Sequence, residues 1–184
     1  MNKEYYAVFR GRVNEPTIFS SWGDAHPRVT GCISIHKSFF TIEDARKYMS
    51  ERGVTAPKEI LKPGAGDTSP LLHSEAFYAV AHGKRTGILS YWYGTIGSEP
   101  EVKEISGACH KRFKTRAQAE AFIEDWKESY ADVWRRAIKE GLDKDRRPHD
   151  MKVKVKGILR AIDRDTEGTD DLDKVKLDKL SLTE

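Results

Sequence analysis

The hydrophobic pattern of the chain occurs twice. Tyr5-Tyr6-Ala7-Val8-Phe9 runs into Arg10-Gly11-Arg12, and Phe77-Tyr78-Ala79-Val80-Ala81 runs into His82-Gly83-Lys84. Each burst of apolar and aromatic residues stops at a glycine with a basic neighbour, which predicts a short strand ended by a turn. A second strand is predicted at Ile18-Phe19 and again at Ile88-Leu89. A variable polar segment follows in both, and a third strand is predicted from His36 to Phe39 and from His110 to Phe113. Thr41-Ile42-Glu43-Asp44 and Thr115-Arg116-Ala117-Gln118 then place a threonine three residues before an acid or amide, so a capped helix starts at each. The first helix is predicted to stop near Gly53. The second carries Ala119, Phe122, Ile123, Trp126, Tyr130, Val133 and Trp134 at helical spacing, which predicts continuation to about Gly141.

The matched motifs keep one order: the Tyr-Ala-Val strand, a tryptophan (Trp22, Trp92), the His-Lys strand and the helix start with Ala45 or Ala119. Insertions fall between motifs and not inside them, as loops vary around a kept scaffold. The expected fold class is therefore α+β, with two small modules, each a three-stranded antiparallel sheet with short helices packed on one face. The expected boundaries are residues 1–53 for the first module, 54–75 for a linker, 76–141 for the second module with its extended helix, and 142–184 for a charged tail without stable structure. Pro63-Gly64-Ala65-Gly66-Asp67 and Ser69-Pro70 give the linker its turn-rich character. In the tail, only Val155 to Ile162 suggests a short helix.

Charge adds a local preference. The net charge is +3, and residues 139–184 are balanced between basic and acidic side chains, so the surplus lies upstream. Residues 76–116 are mildly basic, which permits a nucleic-acid partner without requiring one. No apolar run is long enough to span a bilayer, the first residues lack a secretory pattern, and Cys32 and Cys109 are too few for a disulfide framework. The expectation is an intracellular protein of the nucleus or cytoplasm, with no membrane partner. Cys32 with His36 and Cys109 with His110 raise a zinc reading, but the spacings differ and no further cysteine closes a tetrahedral site. No metal and no cofactor are expected.

With these residues in hand, both copies resemble the N-terminal hybrid-binding domain of eukaryotic ribonuclease H, also found in caulimovirus viroplasmin proteins. The resemblance covers roughly residues 4–49 and 76–124. It implies a sheet laid across the minor groove of an RNA/DNA hybrid, with aromatic residues on deoxyribose, third-strand lysines on phosphates and backbone amides before that strand on RNA 2′-hydroxyls. A wide A-like minor groove displays the 2′-hydroxyl, so RNA can be sensed there without reading bases.

Carried over by the resemblance, the second copy offers Tyr78, Lys84, Trp92, His110, Lys111 and Arg112, with the amides of Gly107 and Ala108 as hydroxyl contacts. The first copy offers Tyr6, Arg10, Arg12, Trp22, His36 and Lys37. Ser38 stands where its second basic residue is expected, and its turn, Val13-Asn14-Glu15-Pro16-Thr17, is longer and holds an acid. The second copy is therefore expected to be the principal site and the first an auxiliary site on a tether. Trp22, Trp92, Tyr6 and Tyr78 each keep a plain alternative as core residues.

The expected partner is RNA/DNA hybrid or double-stranded RNA, bound without catalysis. Ribonuclease H chemistry needs carboxylates holding two metal ions on a large sheet, and the chain after Gly141 is too short and too polar to build one. The alternative is a protein-interaction or self-assembly module of viroplasmin type, using the Phe122 to Trp134 helix. Burial of both Trp126 and Trp134 against the chain's own modules would remove its main support.

Overall fold

The computed structural model describes residues 3–71, 74–147 and 150. The tail expected over 142–184, including the helix suggested at Val155 to Ile162, lies mostly outside the described residues.

Two sheets carry the two copies. In the first, β1 (Tyr5–Arg10) pairs antiparallel with β2 (Thr17–Phe19) and with β3 (Ile35–Phe39). In the second, β5 (Phe77–His82) pairs in the same way with β6 (Gly87–Leu89) and β7 (Cys109–Phe113). The registers match: Tyr6 opposes Ser38 and Val8 opposes His36, while Tyr78 opposes Arg112 and Val80 opposes His110. Each central strand shifts register two residues before its glycine.

That glycine has the same reason in both copies. The amide of Arg12 donates to the Arg28 carbonyl and the amide of Lys84 to the Glu101 carbonyl. A Cβ on Gly11 or Gly83 would lie 2.5 Å from those same two oxygens, so only glycine lets the strand end approach the following segment.

Strand alternation divides the side chains between two faces. In the first sheet, α1 (Trp22–Val29) covers Tyr6, Val8 and Phe19, and α2 (Ile42–Ser50) covers Ala7 and Ile18. Helices thus lie on both faces of this sheet, and the fold is α+β with two sheet-and-helix modules. Helix α1 occupies the variable polar segment between the second and third strands. Pro27 sits in its last turn, where it has no N–H to donate to the Gly23 carbonyl. The second copy has only a short α3 (Glu99–Val102) at this place.

Both helix starts behave as the sequence predicts. Thr41 Oγ1 accepts from the Asp44 amide at 3.2 Å and opens α2. At α4 (Arg116–Asp143) the bonds are reciprocal: Thr115 Oγ1 accepts from the Gln118 amide, and Gln118 Oε1 accepts from the Thr115 amide. Its apolar stripe packs Ala119, Phe122 and Ile123 against Ala79, Ala81, Cys109 and Phe113. Beyond Ala137 the described residues of α4 carry an i,i+4 pair, Lys139 to Asp143, at 2.9 Å.

The segment expected as a linker is not a free tether. Within it, β4 (Lys58–Ile60) adds a fourth, parallel strand beside β2. Further on, Lys114 donates its amide to the Thr68 carbonyl at 3.0 Å, and Gln118 donates to the Asp67 carbonyl at 2.9 Å. Residues up to Ala137 accordingly form one compact unit.

Within that unit the start of α1 docks on α4. A Cβ on Gly23 would lie 2.5 Å from the Phe122 carbonyl, which shows how closely the two helices cross. Trp126 of α4 donates its indole N–H to His26 Nδ1 at 3.2 Å and stacks on His82 of β5. Arg28 bonds Ser129 and lies 3.1 Å from Asp132, and Lys62 lies 2.7 Å from Asp125 and 3.5 Å from Asp24. The seam between the copies is therefore a connected polar network around one tryptophan.

Candidate nucleic-acid interface

Each copy builds the same aromatic triad on the same face of its sheet. In the first, the Tyr6 and Trp22 rings are 5.0 Å apart, and the Trp22 and His36 rings 6.4 Å apart. In the second, Tyr78 and Trp92 are separated by 5.7 Å, and Trp92 and His110 by 5.1 Å. All four pairs are tilted, with interplanar angles from 32° to 41°. The tyrosine and histidine positions are non-adjacent on paired strands and share a face by alternation, and the tryptophan arrives from the segment after the second strand.

Both triads open onto one cleft of about 620 Å³. Lys3, Ser38 and Phe40 from the first copy and Lys111 and Arg112 from the second complete its lining. Lys3 and Phe40 carried no signal in the repeat pattern, because Lys3 precedes the first motif and Lys114 stands at the place of Phe40 in the second copy. The two imidazoles are exposed, the tryptophans half-buried, and Tyr6 is the most enclosed ring of the six. Burial pushes the Tyr6 hydroxyl well above its ordinary value, with nearby Glu4 adding to the rise, so Tyr6 stays neutral. Its hydroxyl donates to the Lys3 carbonyl. Partial desolvation also lowers the affinity of His110 for a proton.

The cations sort differently from the expectation. Lys111 points to the opposite strand face from His110 and Arg112, and its ammonium is 3.0 Å from the Glu4 carboxylate. Both side chains are almost wholly buried, at 8% and 3% exposure, and Thr68 and Ser69 also donate to Glu4. Burial lowers the Lys111 pKa while Glu4 opposes the fall. Lys111 thus ties the two copies together. Arg12 is likewise committed: it donates to the carbonyls of Pro27, Thr30 and Gly31 and closes the end of α1. Lys37 lies on the α2 side of its sheet, over the rings of Phe39 and Tyr48, away from Trp22 and His36. Arg112 remains in the cleft, near the Tyr78 ring, and Arg10 and Lys84 are exposed at their strand ends.

The expected hydroxyl-binding amides are not presented to this cleft. The Ala108 amide donates to the Ile105 carbonyl. A Cβ on Gly107 would lie 3.1 Å from Thr30 Cγ2, which places Gly107 on the seam between the copies beside Trp126 and His26. Lys111, one member of the basic pair that set the second copy apart, is paired with Glu4 of the first.

The ribonuclease H1 N-terminal domain family matches this chain at residues 4–49 and 76–123, just over half of its length. The chain belongs to the ribonuclease H1 N-terminal domain family. The two matched stretches cover the three antiparallel strands of each copy, and β4 lies outside them, so the family unit is the module seen twice here. Only this domain of ribonuclease H1 is matched, and it is a non-catalytic domain. No curated protein and no solved structure matches the chain significantly.

Proposed function

We propose that this member of the ribonuclease H1 N-terminal domain family binds nucleic acid without chemistry, taking RNA-containing duplexes, hybrid first and double-stranded RNA second, with little regard to sequence. The observation that carries this reading is the repeated Tyr–Trp–His triad facing a cleft with Lys3 and Arg112. Aromatic faces pack on sugars and bases of any sequence, and cations at the rim hold phosphates. Ser38 and the Tyr78 hydroxyl supply hydrogen-bonding groups for a 2′-hydroxyl in place of the Gly107 and Ala108 amides. The lining is aromatic, polar and basic, which suits binding and not phosphodiester cleavage.

The test is an equilibrium titration of hybrid, double-stranded RNA, double-stranded DNA and single strands across a salt series. Tighter binding of hybrid than of double-stranded DNA, weakening as salt rises, is expected. Equal affinity for both, or no salt dependence, contradicts the reading.

A second reading is favoured by one observation on α4. Trp126 is absorbed by the seam, but Tyr130 and Trp134 remain exposed at 43% and 38% along a groove with Val133 and Ala137. An assembly contact on this groove is compatible with the first reading, because it lies apart from the aromatic cleft.

A further inference from the structure

We infer that the two repeats form one binding site and not two, and that this site holds a single nucleic-acid strand between the two triads. The inference rests on the nucleic-acid reading above and deepens it by naming what enters the cleft.

The geometry of the floor carries the argument. Glu4 is two residues before Tyr6 of the first triad, and Lys111 lies between His110 and Arg112 on β7 of the second copy. Their buried ion pair fixes the two triads to one another, and the Lys111 ammonium also lies 5.7 Å from the Tyr6 ring centroid. Thr68 and Ser69 hold the same carboxylate, so the approach does not depend on a single contact. Trp22 packs against the cores of both copies, one built under β1 and β2 and the other under α4. Two triads held this way cannot take two ligands independently, because a ligand on either occupies the shared cleft.

The shape then selects the ligand. A minor groove is read by a protein surface that enters or covers it, whereas a cleft with aromatic walls and cations receives something narrow and convex. One strand fits this description, as the sugar–phosphate ridge of a duplex or as a free single strand whose bases stack on the rings. The shared chemistry is a polyanionic backbone with a π-face or sugar at each residue. Lys3 on one wall and Arg112 on the other place positive charge on both sides of that backbone.

The experiment uses the full chain and short labelled oligonucleotides as a DNA strand, an RNA strand and their hybrid. Saturation is expected at one oligonucleotide per chain. Trp22→Ala and Trp92→Ala are each expected to lower affinity by roughly 5- to 150-fold, the range for losing one stacked base. Because Trp22 also packs in the core, His36→Ala and His110→Ala form a second pair with exposed side chains, and each is expected to weaken binding. Saturation at two oligonucleotides, or single-triad variants that keep one site of undiminished affinity, overturns the single-site inference while leaving nucleic-acid binding intact. Absence of binding by the unmodified chain overturns both. Tighter binding of the hybrid than of either strand identifies the duplex ridge as the source, and the reverse order identifies the free strand.

Discussion

Lys111 of the second repeat lies 3.0 Å from Glu4 of the first, in a pair from which solvent is almost excluded. Removing one member of a buried pair leaves the other charge uncompensated, at a cost of about 3–5 kcal/mol. Lys111→Ala is therefore expected to lose about 3 kcal/mol in urea unfolding, near the low end because Thr68 and Ser69 still donate to Glu4. Lys37→Ala, at the equivalent position over Phe39 and Tyr48, is expected to lose about 0.5–1 kcal/mol. Equal losses would show that Lys111 is not a structural tie.

The two glycines that end β1 and β5 give a paired test of the repeat. Gly11→Ala and Gly83→Ala each drive a Cβ into a backbone carbonyl at 2.5 Å. Each is expected to destabilise by about 1–3 kcal/mol, read as a lowered thermal midpoint. An alanine tolerated at one position only would mean that the two strand ends are not equivalent.

Acid stability depends on two buried groups at the seam that act in opposite directions. Burial holds His26 at about 4, with His82 adding to the effect and the Gly107 and Ala108 backbone opposing it. The unfolded imidazole takes its proton near 6.5, so this contribution is complete above that pH and is lost as pH falls toward 4. Burial raises Asp24 to about 6, with Asp125 adding and Lys62 and Arg28 opposing. The folded carboxyl binds its proton more tightly than the unfolded one, so this contribution is present near pH 4 and is lost as pH rises through 6. Asp24→Asn is expected to steepen the loss of stability between pH 6 and 4, and His26→Gln to flatten it. Denaturant midpoints across that range check both signs, and parallel profiles for the two variants would contradict them.

Arg112 and Lys37 separate the two sheet faces in binding. Arg112→Ala is expected to weaken hybrid binding and to reduce the salt slope by about 1, as for loss of one phosphate contact. Lys37 faces away from the cleft, so Lys37→Ala is expected to leave the slope unchanged. The reverse outcome would place the nucleic acid on the α2 side.

Much of this was legible in the sequence because it is local. The Tyr-Ala-Val and His-Lys strands, the threonine caps and the long apolar stripe of α4 each declare themselves within a few residues. Helix α1 did not, because Pro27 and His26 interrupt a short pattern whose apolar residues on the first core are Trp22, Ala25 and Val29. Strand β4 is three residues long and has no alternation to read. The joining of the two triads was hidden for a different reason. Glu4 and Lys111 are 107 residues apart, and either one alone looks like an ordinary surface charge. The repeat that announced the module also suggested independence, although Lys111 pairs with Glu4 of the other copy while Lys37, at the matching position, lies over Phe39 and Tyr48.

Hydrogen exchange of the full chain with one equivalent of RNA/DNA hybrid tests the central claim most directly. Strands β3 and β7 are both sheet edges, so their outward amides exchange readily and report what covers them. Protection of residues 35–40 and 109–113 together, at the same hybrid concentration, is the predicted result. Protection confined to one of these strands, or to the Tyr130–Trp134 groove, would contradict a single aromatic cleft shared by the two repeats.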